Sequence, residues 1–331
     1  DDEFDIIMPI FVPPVTCDQL EVAQHIRQSL EGIDKSVYAC FMGAGESTAG
    51  IDHLKEHNIP VYIYPEAIAK TLATIHGYKS WLARPLGKVR TFKVDKNRVQ
   101  KIIKETLKGK EGVIVGDEAL DILSAYGVQV AGYRYADTAD QAAAIAREIS
   151  YPVVMKIATP AVVHKTEVGG VIVDLRSDGE VEKAFEELKS RVGKLKKGEH
   201  FSVAVQQMIT GGIETVIGMT TDPSFGPLIM FGLGGIYVEV MKDVAFRINP
   251  LTDQGTKEMI ESLRSYPLLT GFRGAPPVDI AYIEETLLRI SQLIKDFDCF
   301  VEIDVNPFIV SPEREKCAAV DARFVVHENS K

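Results

Sequence analysis

Apolar residues recur along this chain in two rhythms. Short runs of about five residues, many of them β-branched, read as buried strands. Between them lie longer stretches with apolar positions three or four apart, which read as amphipathic helices. Near the start, the runs at 5–11, 36–42 and 60–64 are predicted strands, each followed by a helix. The first helix starts from a cap at Thr16 or Asp18 and runs to about Leu30, the second covers 48–57 and the third 65–82. A β-α-β-α-β-α order predicts a parallel sheet with right-handed crossovers. Three strands make a thin sheet, so this piece is expected either to belong to a longer domain or to be completed by a partner chain.

Residues 86–111 are polar and lysine-rich and read mainly as a linker, with a short helix from Asn97 to Leu107. A second region then opens with a helix over 116–126, for which Gly127 is a C-cap. It continues with a strand at 128–131, an alanine-rich helix at 138–150, strands at 152–157 and 171–175, a helix at 180–192 and a strand at 202–208. The last third carries predicted strands at 214–220, 227–232, 237–240, 244–247, 301–305 and 318–321, with helices at 253–265 and 280–297.

Composition narrows the function. The chain has 331 residues, 46% of them hydrophobic and 25% charged, which is the balance of a soluble globular protein with room for two or three domains. A net charge of −10 without a basic stripe excludes nucleic acid as the main partner. Cys17, Cys40, Cys299 and Cys317 lack metal-ligand spacing and read as free thiols of a reducing compartment. No apolar run approaches a membrane span, so a cytoplasmic protein is expected.

Chemistry concentrates in His164-Lys165-Thr166-Glu167-Val168-Gly169-Gly170-Val171, shortly after Lys156. Neutral imidazole attacks phosphorus, lysines neutralise a transferring phosphoryl group, and glycines let backbone N–H groups approach phosphate oxygens. A glycine-rich connection between the strands at 152–157 and 171–175 places these groups where a nucleotide would sit. A plain hairpin turn explains the segment equally well on its own. Glu214 offers a carboxylate for a ribose hydroxyl. In Glu302-Ile303-Asp304-Val305-Asn306-Pro307, three polar side chains occupy alternate positions and point one way on a strand. With Asp321 on a neighbouring strand, their oxygens suit Mg²⁺; a solvated strand face is the competing reading, and the flanking Phe300 and Phe308 argue against it. Arg247 and Arg273 are isolated cations that suit either phosphate or a surface ion pair. Gly43-Ala44-Gly45 is either an anion site or a tight turn, and His53 and His57 either a metal pair or a solvated helix face. There is no Ser-His-Asp signature, no Walker-type loop and no dinucleotide fingerprint.

These strings, in this order, resemble the ATP-grasp region of the NDP-forming acyl-CoA synthetases, relatives of succinyl-CoA synthetase. The resemblance is carried by Pro152–Lys156, His164–Val171, Asp222–Pro227, Phe231–Gly235, Leu268–Gly274 and Glu302–Pro307. It implies an α/β and α+β architecture: a partial flavodoxin-like CoA-ligase domain over 1–85, a linker over 86–111, and a two-lobed ATP-grasp domain over 112–331 with its lobe boundary near 205–210. It also implies roles. Lys156 and Lys165 contact nucleotide phosphates, Gln206 and Gln207 lie at the adenine hinge, and Glu214 binds ribose. Asn306 and Asp321 ligate Mg²⁺, His164 carries a phosphoryl group, and Asp304 is the carboxylate beside it. The implied reaction interconverts acyl-CoA, ADP and phosphate with acid, ATP and CoA. Its CoA-binding and principal phosphohistidine domains would be supplied in cis or by a partner subunit, in an oligomer. The alternatives are a non-catalytic regulatory module of a fused protein acetyltransferase and an ATP-grasp ligase of another kind, such as a carboxylate–amine ligase.

Overall fold

The computed structural model describes residues 3–14, 17–43, 48–107, 111–158, 169–193, 200–235 and 242–327. Two compact units divide the chain between Pro85 and Leu86. In the first unit the opening apolar run is broken at Met8-Pro9 into β1 (Ile6–Ile7) and β2 (Ile10–Phe11), since proline has no N–H to give a ladder. There follow α1 (Gln19–Ser29), β3 (Ser36–Val37), β4 (Ala39–Phe41), α2 (Ala49–Glu56), β5 (Val61–Tyr62) and α3 (Pro65–Ala83). Every strand pairing here is parallel, β1 with β3, β2 with β4 and β4 with β5. Asp18 is the cap of α1, accepting from the Leu20 N–H at 2.9 Å, while Thr16 lies outside the described residues. Under α1 and α2 the core consists of Ala23, Ala39, Phe41, Ile51 and Leu54. Gly50 permits the close approach of those helices: a Cβ there would lie 2.5 Å from the Gln19 carbonyl oxygen. The even-numbered apolar side chains from Phe4 to Val12 are exposed along the first strand pair. Of the Gly43-Ala44-Gly45 turn only Gly43 falls within the described residues.

The second unit begins with α4 (Lys96–Thr106), β6 (Glu111–Val115) and α5 (Asp117–Ala125). Residues 86–111, expected to be a linker, are instead built into this unit. Lys-Asn-Arg-Val-Gln-Lys-Ile-Ile places apolar residues at 99, 102 and 103, and Val99 and Ile103 are buried in the main core. Upstream, the Gln292 amide pairs with both the N–H and the carbonyl of Phe92, at 2.7 and 3.2 Å, and the Arg289 guanidinium stacks 4.2 Å over the Phe92 ring.

The chain then builds a small lobe from β7 (Tyr133–Ala136), α6 (Ala139–Ile149), β8 (Val153–Ile157), β9 (Val171–Leu175), α7 (Asp178–Gly193) and β10 (Val203–Gln207). Its four strands run antiparallel in the order β7-β10-β8-β9. The strand expected at 128–131 lies instead at 133–136; residues 129–131 form only a bridge alongside Ala319. After residue 207 the chain returns with β11 (Ile213–Asp222), β12 (Gly226–Leu233), β13 (Val244–Ile248), α8 (Asp253–Glu261), α9 (Tyr266–Leu269), α10 (Ile280–Asp296), β14 (Phe300–Val310), β15 (Ala318–Ala319) and β16 (Ala322–His327). The expected strand at 237–240 lies outside the described residues. The large sheet has the antiparallel order β13-β12-β11-β14-β16-β6, with β15 on β14. A single cut near 205–210 does not describe the lobes, because β6 and α5 lie with the C-terminal sheet and the chain crosses between lobes twice. Among the described residues no helix is long and apolar enough to cross a membrane.

Asp296 ties α4, α5 and α10 together in the large lobe. Its carboxylate receives Lys96 at 2.7 Å, the Tyr126 hydroxyl at 2.9 Å and the Gln292 amide at 3.3 Å. Burial works against the charge, but these donors outweigh it and hold the carboxyl below its usual range. Asp296→Ala should therefore cost about 2–3 kcal/mol at pH 7 in urea unfolding. A depressed folded pKa gives stability that is present above the unfolded value of about 3.9 and lost as pH falls through the folded one. The gap between wild type and variant should accordingly narrow below about pH 4.

Candidate active site

Strand alternation decides which side chains face the cleft between the two lobes of the second unit. On β8 and β10, Val153, Met155, Ile157, Val203 and Val205 are buried against α6 and α7. Val154, Lys156, Ala204 and Gln206 therefore point the other way, towards the large sheet. Tyr133 and Tyr135 continue this face on β7, where Tyr133 is the partner of Gln206 and Tyr135 of Ala204.

Opposite stands the turn between β15 and β16. The Lys156 ammonium reaches the Val320 carbonyl at 3.3 Å and the Asp321 carboxylate at 3.8 Å. The Gln206 amide nitrogen donates to the same Val320 carbonyl at 3.0 Å. Asp321 is linked to Asn306 through the backbone, the Asn306 N–H donating to the Asp321 carbonyl at 3.1 Å. Lys156, Gln206, Asn306 and Asp321, four of the sequence-predicted residues, thus meet at one corner.

β14 supplies the floor. Ile303 and Val305 are buried in the core, so Glu302, Asp304 and Asn306 take the opposite face. Asp304 faces Gly218 on β11 and Arg323 on β16. Burial pushes its carboxyl above the usual range, the charges of Glu302 and Asp321 push in the same direction, and Arg323 opposes them. Arg323 spends its own guanidinium on Glu302, at 2.8 Å.

Other expected site residues lie elsewhere. Gln207 follows Gln206 on β10 and therefore points to the other face, where it is exposed. Glu214 borders a mostly apolar cavity of about 560 Å³ with Gly235, Leu268 and Phe272 among its walls. Arg247 donates to the carbonyl of Phe246, and Arg273 stacks on Phe272. His53 and His57 lie against each other with their rings tilted by 44°, and a ring nitrogen of His57 is 2.7 Å from the His53 carbonyl. His164 and Lys165 lie outside the described residues. The described chain resumes at Gly169, whose φ of +64° is a conformation that favours glycine. On either side of His164 and Lys165, β8 and β9 pair directly and antiparallel.

The sequence reading missed the latch between the lobes. The Tyr133 hydroxyl donates to Asp121 at 3.0 Å and to the Asp117 carbonyl at 3.2 Å, and Tyr135 donates to the Asp117 carboxylate. Tyr-Arg-Tyr at 133–135 carried the signal, since period-two aromatics suit a half-buried strand.

Comparison with known proteins adds a family to this geometry. Residues 105–326 match the model of an ATP-grasp domain. The chain is 39% identical over 331 residues to acetate–CoA ligase [ADP-forming] I of Archaeoglobus fulgidus, covering 99% of this chain and 47% of that protein. It is 40% identical to the β subunit of acetate–CoA ligase [ADP-forming] II of Pyrococcus furiosus, covering 70% of this chain and 99% of the subunit. Among solved structures, dinucleotide-forming acetyl-coenzyme A synthetase 1 of Candidatus Korarchaeum cryptofilum, in complex with coenzyme A and Ca-AMPCP, superposes with a TM-score of 0.63 at 39% identity, over 70% of this chain and all of that one. The chain spans about half the length of the single-chain curated relatives it matches.

The tyrosine latch makes a prediction about lobe motion. Replacing Tyr133 and Tyr135 together by Phe should speed amide exchange in β7 and β10 roughly tenfold, the equivalent of about 1.4 kcal/mol. Exchange in β12 and β14, measured in the same experiment, should stay within about twofold.

Proposed function

The chain belongs to the ATP-grasp family, in the branch of the ADP-forming acetate– and acyl-CoA ligases, and on that premise we propose that it is the nucleotide-binding, phosphoryl-transferring part of an acid–CoA ligase. The whole enzyme would interconvert acyl-CoA, ADP and phosphate with acid, ATP and CoA in the cytoplasm. The observation that carries this reading is the meeting of Lys156, Asn306 and Asp321 across one cleft. Phosphoryl transfer asks for little covalent help from a protein and much positioning of charge. Lys156 supplies a cation on β8, and Lys165 is proposed as a second. Gln206, on the cleft face of β10, stands on the base side, while Gln207 is turned to the opposite face, and Glu214 is the ribose acceptor.

The donor set at the corner fits Mg²⁺, which keeps phosphate and water ligands and needs only one or two protein oxygens. Asn306 and Asp321 would hold it, and bound there it would neutralise phosphate charge. His164 is the group that receives the phosphoryl. A ring nitrogen forms the P–N bond as the bond from phosphorus to the ADP oxygen breaks, and ADP leaves with that electron pair. Asp304 is the carboxylate proposed to accept the proton of the other ring nitrogen, which would keep the attacking nitrogen unprotonated.

The remaining chemistry, acyl transfer to and from CoA, calls for CoA-binding and phosphohistidine domains in cis or on a partner subunit within an oligomer. That the chain covers almost the whole of a relative named as a β subunit supports such a division. The regulatory-module alternative finds no support among these relatives, which are ligases.

Calorimetry with Mg-ATP tests the site. Lys156→Ala should weaken binding at least tenfold, as expected for loss of a charge-assisted contact. Asp321→Ala should abolish the Mg²⁺ dependence. Incubation with γ-labelled ATP should leave acid-labile, base-stable label on the chain and none on His164→Ala. Unchanged ATP affinity in Lys156→Ala would overturn the assignment of the cleft.

A further inference from the structure

Arg323 stands on the cleft floor without a part in the chemistry above. β16 buries Ala322, Phe324 and Val326 in the core, so Arg323 takes the cleft face of the large sheet. There it is the register partner of Asp304 on β14. Asn306 and Asp321, the corner that would hold Mg²⁺, each lie two residues further along, in the same direction on the two antiparallel segments. Such a step is about 7 Å. Arg323 and Asp304 are therefore the next pair of groups that a phosphoryl group meets on leaving that corner across the floor.

The guanidinium is lightly held. Its Nη1 reaches Glu302 at 2.8 Å, and both side chains are about half-exposed. Exposed ion pairs of this kind hold a side chain only weakly. The Nε and Nη2 donors find no acceptor among the described residues. Glu302 thus steers the guanidinium through one of its nitrogens and leaves the others open. A phosphoryl group competes well for it, because the planar fork matches two phosphate oxygens at once.

The charge of the floor calls for such a group. Glu302, Asp304 and Asp321 all present carboxylates to the cleft, and Lys156 comes to Asp321, at 3.8 Å. A phosphoryl group brought beside Asp304 meets like charge unless a cation stands next to it. From these observations we infer that Arg323 is a further phosphate-binding cation of the cleft, which leaves Glu302 for the transferring phosphoryl group and neutralises it beside Asp304. In that step the bond from phosphorus to the ADP oxygen breaks, its electron pair leaves with ADP, and the bond to the acceptor nitrogen forms. Arg323 donates hydrogen bonds to the phosphoryl oxygens and gives up no proton. The inference rests on the phosphoryl-transfer reading of the cleft and adds a catalytic residue to it.

The test follows the rate at which γ-labelled ATP with Mg²⁺ labels the full chain, with Mg-ATP affinity measured by calorimetry in parallel, in wild type, Arg323→Gln and Arg323→Lys. Arg323→Gln should slow labelling at least about a hundredfold, the scale for losing one donor aimed at transition-state charge, and leave Mg-ATP affinity within about threefold. Arg323→Lys keeps the charge without the fork and should slow labelling only about tenfold, and it carries the test if the glutamine variant does not fold. Labelling within about threefold of wild type in Arg323→Gln overturns the inference and leaves the cleft a phosphoryl-transfer site. Equal losses of labelling rate and Mg-ATP affinity, as expected of a residue that merely shapes the floor, overturn it in the same way. A wild-type chain that binds Mg-ATP and takes no label overturns the phosphoryl-transfer reading and this inference with it.

Discussion

One strand must serve two solvents. β14 gives Ile303 and Val305 to the hydrophobic core on one side and Glu302, Asp304 and Asn306 to the cleft on the other. Its register against β11 and β16 is therefore fixed by the core. A slip of one residue would bury carboxylates and expose the apolar set, which no compensating contact offsets. Because the core sets the register, the acidic side chains have no freedom to drift apart. Asp304 is held where burial and two neighbouring carboxylates resist its ionisation. The site inherits its precision, and its electrostatic tension, from packing on the far side of the sheet.

The small lobe adds the opposite charge by the same device. β8 and β10 bury their odd-numbered residues under α6 and α7 and turn Lys156 and Gln206 outward. The two sheets then meet through a short turn, where a single carbonyl gathers both side chains. An acidic large-lobe face and the small-lobe cation Lys156 are brought together at that turn. The phosphoryl transfer proposed for this cleft would call for such an arrangement, since polar groups must be in place before the reacting charge develops.

Much of this was legible in period two and period 3.6. The alternation at 302–306, the buried run ending in Ile157 and the helix at 280–297 gave strands and helix where the structure has them. The same alternation, applied strictly, separates Gln206 from Gln207, and taking the pair as one hinge motif hid that. β6 was not legible because five residues beginning Glu-Gly, beside a lysine-rich stretch, offer little apolar signal; it forms because β16 has an open edge. The proximity of Asn306 to Asp321 was expected from their neighbouring strands, but the backbone hydrogen bond that links them, formed as the chain folds back after Val310, was not legible. Val320 could not have been found at all, since only its backbone takes part.

That last point has an evolutionary side. Contacts made by side chains are rewritten by single codon changes, whereas the carbonyl of residue 320 is present whatever amino acid stands there. Lineages can vary this residue to retune the apolar lining beside it without releasing Lys156 or Gln206 from their shared acceptor. A substitution at residue 320 therefore leaves the shared acceptor of Lys156 and Gln206 in place.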